Sequence, residues 1–249
     1  MSESASFETK RENVAFAEFK ENMRDPSHLP AHREITRAFR TKAEWESFCD
    51  MDGNRVYEFI NEEFVEALCT YLAQRISAYR KGEQPVTILE VGAGNGRLSH
   101  FLRERLEAKV PGAFDLKTTD SGTWRLNTTF PVETMDHAQA LATYKPEIVI
   151  FSWMPYGEDA TADFRAAESV KEYLLIGEEE GCCGDMWFTW GDKFGAQPEE
   201  KNKPAPYEAD GFNRQEIKRV SDEQICRTDD PGMYYRSKTV SFRRKDALN

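Results

Sequence analysis

The chemistry-bearing residues of this chain are densest at 90–96, Glu90-Val91-Gly92-Ala93-Gly94-Asn95-Gly96. Alternate glycines strip the backbone of Cβ atoms, so a ligand can lie against main-chain amides where a side chain would collide. Glu90 adds a carboxylate at the entrance to that turn. The apolar run before it (Val86, Ile88, Leu89, Val91) reads as a buried strand, and Leu98, Phe101, Leu102 and Leu106 follow at helical spacing. Strand, glycine turn and helix together make a binding crevice at the carboxyl end of a strand in an α/β sheet. A dinucleotide fingerprint would need a third glycine at position 97, and that residue is Arg97. An NAD-binding oxidoreductase is therefore the last alternative.

Two further segments offer polar and aromatic groups. Ser152-Trp153-Met154-Pro155-Tyr156 follows an apolar run over 148–151, and 177–190 combines glycines and acids with Trp187, Phe188 and Trp190. Ser152, Trp153, Tyr156 and Glu178 would face an acceptor if both segments sit at the carboxyl edge of the sheet. Cys182-Cys183 has no histidine nearby in sequence to activate a thiol. The five cysteines show no paired Cys-x-x-Cys spacing, and Pro30 separates His28 from His32, so no metal site is expected and the thiols are read as reduced.

These residues must be positioned by alternating strands and helices from 86 onward. Strands are expected at 86–91, 114–119, 131–134, 148–153 and 173–177, then an irregular segment over 178–207 and a last helix at 212–220. Residues 225–228 and 239–243 are expected to pair as a hairpin across Asp230-Pro231-Gly232. The first 84 residues read as helical: one helix over 7–23, a second from Pro30 to Phe39, a third opened by Thr41-Lys42-Ala43-Glu44 at capping-box spacing, and a long fourth capped by Asn61. The organisation expected is a helical cap, 1–84, and one α/β domain, 85–249.

With 33 basic and 44 acidic residues the net charge is −11, which disfavours nucleic acid; the short basic run Arg33, Arg37, Arg40 and Lys42 reads as a solvated helix face. No apolar run is long enough to span a bilayer. The first residues lack the regions of a secretory signal, so a cytoplasmic location is expected, with the nucleus left open.

The spacing Glu90-x-Gly92-x-Gly94-x-Gly96, behind a strand and ahead of an amphipathic helix, resembles motif I of the class I S-adenosylmethionine-dependent methyltransferases. The resemblance covers roughly 85–243. It implies a Rossmann-like, mostly parallel seven-stranded sheet with helices on both faces and a terminal antiparallel strand. It also implies S-adenosylmethionine as cofactor, held by Glu90, Gly92, Ala93, Gly94, Asn95 and Gly96. In the family an acid ending the second strand accepts the ribose hydroxyls; Asp120 matches, with Asp115 as competitor. Ser121 stands where an apolar residue usually covers adenine, and Trp124 is the substitute. An acid after the third strand reads the adenine amino group; Asp136 falls there, with Glu133 just upstream. Ser152-Trp153-Met154-Pro155-Tyr156 loosely resembles the Asp/Asn/Ser-Pro-Pro-Tyr/Phe motif of amino-group methyltransferases, which puts Ser152 and Trp153 beside the cofactor. The activity implied is methyl transfer to a small-molecule nitrogen or oxygen, with Ser152, Tyr156 and Glu178 aligning the acceptor. The alternatives are a protein methyltransferase acting on a basic partner and a non-catalytic cofactor-binding scaffold.

Overall fold

The computed structural model describes residues 17–23, 25–39, 41–50, 55–124, 129–229 and 235–248. Seven strands form one sheet in the order β3-β2-β1-β4-β5-β7-β6. They are β1 (Val86–Val91), β2 (Phe114–Asp120), β3 (Glu133–Thr134), β4 (Ile148–Ser152), β5 (Glu172–Gly177), β6 (Phe212–Glu216) and β7 (Lys238–Arg244). β1 to β5 run parallel, and β7 lies antiparallel to both β5 and β6. This is the Rossmann-like sheet with an antiparallel strand that the resemblance implies.

The helices are α1 (described over 17–22), α2 (His32–Ala38), α3 (Lys42–Cys49), α4 (Glu62–Tyr79), α5 (Arg97–Lys109), α6 (His137–Tyr144), α7 (Thr161–Ala166), α8 (Pro206–Ala209) and α9 (Lys218–Ser221). Central strands are apolar on both faces, as burial between two helical layers requires. Ile88, Ile148, Ile150, Leu174 and Ile176 pack with Leu68 and Leu72 of α4 and Leu102 and Leu106 of α5. On the other face Leu89, Val149, Phe151 and Leu175 meet Leu141 of α6 and Phe164 of α7. The crossover α5 thus lies on one face and α6 on the other. The chains leaving β1 and β4 diverge, and a crevice opens between their carboxyl ends.

Local signals place the helix starts. Thr41 Oγ1 accepts the Glu44 amide at 3.2 Å, and Asn61 Oδ1 accepts the Phe64 amide at 2.8 Å. α4 belongs to the sheet's own core, and its Arg75 pairs at 2.8 Å with the fully buried Glu172 at the start of β5. The elements before α4 form a separate aromatic cluster in which Trp45 and Phe59 stack at 4.3 Å and Phe19, Phe39 and Phe48 close the group. Of the expected first helix, residues 7–16 lie outside the described residues.

Two sequence expectations are corrected. Residues 212–216 are strand β6, not the start of a helix; only Lys218–Ser221 is helical. Antiparallel pairing of Phe212–Glu216 with β7 outweighs the helical spacing of Phe212, Ile217 and Val220. Residues 225–228 do not pair with 239–243 either, because β7 is taken on both sides by β5 and β6. Cys226 instead forms an antiparallel bridge with Glu58. The turn residues 230–232 of that expected hairpin lie outside the described residues.

Candidate active site at the carboxyl edge of the sheet

The glycine turn is seated on the end of β2 by main-chain donors. Ala93 N–H donates to Thr119 O at 3.0 Å, and Gly94 N–H donates to Asp120 Oδ2 at 3.0 Å. Gly92 has φ 61, and a Cβ there would lie 2.4 Å from the Phe151 ring, so β4 approaches the turn as closely as glycine permits. Gly96, at φ 76, is covered in the same way by Val132, which a Cβ would meet at 2.7 Å. Phe130 N–H donates to Asn95 O at 3.2 Å, and the segment arriving at β3 thereby lies against the turn.

Asp120 sits half-buried at the carboxyl end of β2. Its Oδ1 accepts the Gly122 amide at 2.8 Å and its Oδ2 the Gly94 amide. Each carboxylate oxygen has two lone-pair sites, so both keep capacity for a further donor. Asp115 is five residues earlier in the same strand, about 17 Å away at a rise of about 3.3 Å per residue, and pairs with Lys117 at 3.0 Å. It stands at the amino end, remote from the turn. Glu90 is 2% exposed, accepts the Ser99 hydroxyl and is pushed up to about 7 by burial. Asp136 caps α6, accepting the Gln139 amide at 2.8 Å, and is exposed. Its rival Glu133 accepts the Tyr144 hydroxyl. Ser121 and Trp124 are both exposed.

Arg97 ties this region to the segment ahead of α2. Its guanidinium donates to Pro26 O at 2.6 Å and to His28 O, and lies 5.0 Å from the Phe101 ring centroid. Burial lowers Arg97 to about 10, which leaves it charged at neutral pH. The residue that breaks the dinucleotide pattern is thus a clamp on the amino-terminal segment.

Across the crevice, Ser152 and Trp153 leave β4 half-buried. Trp153 has φ 57, its N–H donates to Ile176 O at 2.8 Å, and its indole N–H donates to Glu58 Oε2 at 2.8 Å. Glu178, directly after β5, is 4% exposed; Thr228 Oγ1 donates to its Oε2 at 2.5 Å, and Arg236 Nη1 lies 3.8 Å from its Oε1. Tyr156, expected to line the cleft, is 75% exposed on a turn where Glu158 N–H donates to Pro155 O at 3.1 Å. The turns after β4 and β5 are joined, since Gly157 N–H donates to Gly184 O at 2.9 Å and Gly184 N–H to Met154 O at 3.0 Å. All five cysteines are unpaired, and among the described residues no group of three His, Cys, Asp or Glu side chains is placed to hold a metal ion.

Sequence reasoning missed Tyr57, Glu58, Gln224, Thr228, Arg236 and Ser237, which complete this wall from both ends of the chain. No local motif marks them. A groove of about 550 Å³ between residues 27–29, α4 and the second half of α5 shares no residue with the glycine turn. None of the described helices is long and apolar enough to cross a membrane.

No family model matches the sequence, and no curated protein matches it. Solved structures that match in shape include the DszA carbon methyltransferase, 14% identical with a TM-score of 0.45, over 86% of this chain and 60% of that one. The chain therefore spans less than two thirds of that protein's length. The CurJ carbon methyltransferase is 9% identical with a TM-score of 0.43, over 96% of this chain and 69% of that one. The plantazolicin methyltransferase BpumL, solved with a triazolic desmethylPZN analog and SAH, is 10% identical with a TM-score of 0.40, over 94% of this chain and 97% of that one. At such identities the reactions and substrates of these proteins remain their own.

Proposed function

We propose that this chain is an S-adenosylmethionine-dependent methyltransferase acting on a small-molecule nitrogen or oxygen acceptor in the cytoplasm. The observation that carries the reading is the junction of Gly94 and Asp120. A glycine-rich turn ending β1 is hydrogen-bonded to a half-buried carboxylate ending β2, at the point where the crossovers part. The residues fit the group. Gly92 and Gly96 let Phe151 and Val132 close on the turn that Gly94 centres, Glu90 stands behind it, and Asp120 retains lone pairs for a ribose diol. Asp136 would read adenine from the start of α6. Ser152 and Trp153 would flank the reactive end from β4.

When bound, the cofactor supplies a methyl already made electrophilic by its sulfonium, leaving as a neutral thioether once the acceptor's lone pair forms the new bond. What remains for the protein is alignment of the acceptor at ~3–3.5 Å and exclusion of water. Ser152, Tyr156 and Glu178 are the groups proposed to align it. A proton acceptor is needed only for an acceptor that must be deprotonated first. The net charge of −11 favours one second reading, methylation of a basic protein.

Thermal melts test the donor. Saturating S-adenosylhomocysteine at ~100 times its dissociation constant should stabilise the fold by about 2.7 kcal/mol, and NAD should not. A melt raised by NAD and untouched by S-adenosylhomocysteine overturns the proposal. Labelled methyl incorporated into the protein fraction of a lysate, and not into its small molecules, would establish the second reading.

A further inference from the structure

Trp153 and Lys145 are the non-glycine residues with positive φ among the described residues. Left-handed backbone is disfavoured for a bulky residue, so the surroundings must hold Trp153 there. Its main chain is fixed by Ile176 O, its ring centroid lies 5.5 Å from that of Tyr57, and its indole N–H is held by Glu58. Two of these three partners come from the segment just ahead of α4.

Glu58 is the centre of a hydrogen-bond chain with one consistent polarity. Thr239 Oγ1 donates to Gln224 Oε1 at 2.6 Å, which turns the Gln224 amide nitrogen the other way. That nitrogen donates to Ser237 Oγ at 2.7 Å and to Glu58 Oε1 at 3.2 Å. Ser237 in turn donates to Glu58 Oε2 at 2.6 Å, beside the Trp153 indole at 2.8 Å. Every group facing the carboxylate is a donor, so the chain favours ionised Glu58. A proton on Oε1 would take the lone pair that Gln224 leaves open and, by removing the charge, weaken the carboxyl as an acceptor for every donor. On Oε2 it would displace Ser237 or Trp153.

We infer that Glu58 is a positioning residue of the acceptor side: its carboxylate holds the Trp153 indole at the edge of β4, and protonation loosens that hold. The functional meaning rests on the methyltransferase reading, in which Trp153 flanks the reacting end; the coupling of Glu58 to Trp153 does not. Burial pushes Glu58 up to about 7, with the donors from Ser237, Trp153 and Gln224 opposing it and the charge of Asp229 adding to it. The loosening therefore falls in the neutral range. The other titratable groups facing this carboxylate are Cys226, beside Asp229 on the 225–229 turn, and Cys183 after β5; burial raises both thiols and keeps them neutral. Asp229 is itself raised by burial while accepting the Cys226 and Arg236 amides, each at 2.7 Å. Beyond them Arg236 lies against Glu178, and Arg227, over the Tyr57 ring, is paired with Asp50 at 2.7 Å.

The test is the fluorescence of Trp153, taken as the difference between the wild type and Trp153→Phe, titrated across neutral pH. The wild-type difference should titrate with a midpoint near 7. Glu58→Gln should hold it at the acid-form value throughout. Ser237→Ala, which removes one hydrogen bond to the ionised form, should raise the midpoint by about one pH unit. With any acceptor in hand, kcat of Glu58→Gln should fall. A flat wild-type difference, or a Ser237→Ala midpoint unmoved, overturns the inference, and the Ser237 variant decides it even if Glu58→Gln fails to fold. Failure of the wild type to bind S-adenosylhomocysteine overturns the methyltransferase reading instead, and leaves the fluorescence titration as a complete test of the coupling.

Discussion

The two walls of the crevice are built in opposite ways. The β1–β2 wall comes from one stretch of chain and is held by main-chain donors: the amides of Ala93, Gly94, Gly122 and Met135 all end on Thr119 or Asp120. The β4–β5 wall draws on residues 57–58, 152–157, 177–190, 224–229 and 235–237, and side chains reach across it, Trp153 and Ser237 to Glu58 and Thr228 to Glu178. A wall held by main-chain donors depends on few side chains, here Asp120. A wall made of side chains changes its chemistry with each substitution. On the proposed reading the first wall holds the methyl donor and the second the acceptor. Substitutions should separate them.

The largest expected effect is Gly94→Val. Gly94 has φ 58, where a residue with a Cβ costs roughly 1–2 kcal/mol, and two added methyls would occupy the space proposed for the ligand. Titration calorimetry should show no binding of S-adenosylhomocysteine, a loss of at least about a hundredfold, in a protein whose circular dichroism is that of the parent. Parent-like affinity would mean that the turn does not carry the ligand.

Next comes the buried carboxylate behind the turn. Glu90 moves from an ordinary value of 4.5 to about 7 on folding, so the folded protein binds its proton more tightly than the unfolded chain does. The stability this contributes is complete below the unfolded value and is lost as pH rises through about 7, on the order of 3 kcal/mol. Denaturant unfolding of Glu90→Gln should therefore lose less stability between mildly acidic and mildly alkaline buffer than the wild type does. Identical pH slopes would show that Glu90 ionises as readily in the fold as outside it.

Asp120→Ala follows in size. It removes an acceptor from two turn amides and from the proposed ribose diol, and a hydrogen bond to a charged group contributes about 1.5–3 kcal/mol, or roughly ten- to a hundredfold in affinity. Asp115→Ala, at the opposite end of the strand, should bind like the parent. The reverse pattern would move the ribose site off the turn.

How much of each wall was legible in the sequence follows the same division. Val86–Val91, the glycines and α5 could be read because the apolar period switches within a few residues from that of a buried strand to that of a helix. Asp120 could be placed because it ends such a strand. Thr41 and Asn61 announced their helices by capping chemistry alone. By contrast, Phe212, Ile217 and Val220 have helical spacing, yet β7 offers the backbone of 212–216 a ladder, and pairing decides the outcome. Ile225–Thr228 resembles a strand, but Asp229 turns the chain there by accepting the Cys226 amide. The link from Glu58 to Trp153 spans 95 residues and obeys no periodicity, so nothing local could announce it.

The smallest effect on the donor side is expected at Tyr156. Its ring is 75% exposed, so Tyr156→Ala should change stability by no more than about 0.5 kcal/mol and leave S-adenosylhomocysteine affinity unchanged. Glu178→Gln should also spare the donor, since Thr228 and Arg236 hold that carboxylate on the far side of the crevice. If both residues align the acceptor, turnover must fall in each variant without any change in cofactor affinity, because alignment acts on the reacting geometry and not on the bound donor. The exposure of Tyr156 sharpens the expectation: a ring that contacts little in the fold can matter to turnover only by meeting the acceptor itself, so its loss should raise the acceptor KM. Glu178 is buried and held, so its replacement should lower kcat. Wild-type turnover in both variants would place the acceptor elsewhere, beneath the amino-terminal segment that Arg97 ties to α5.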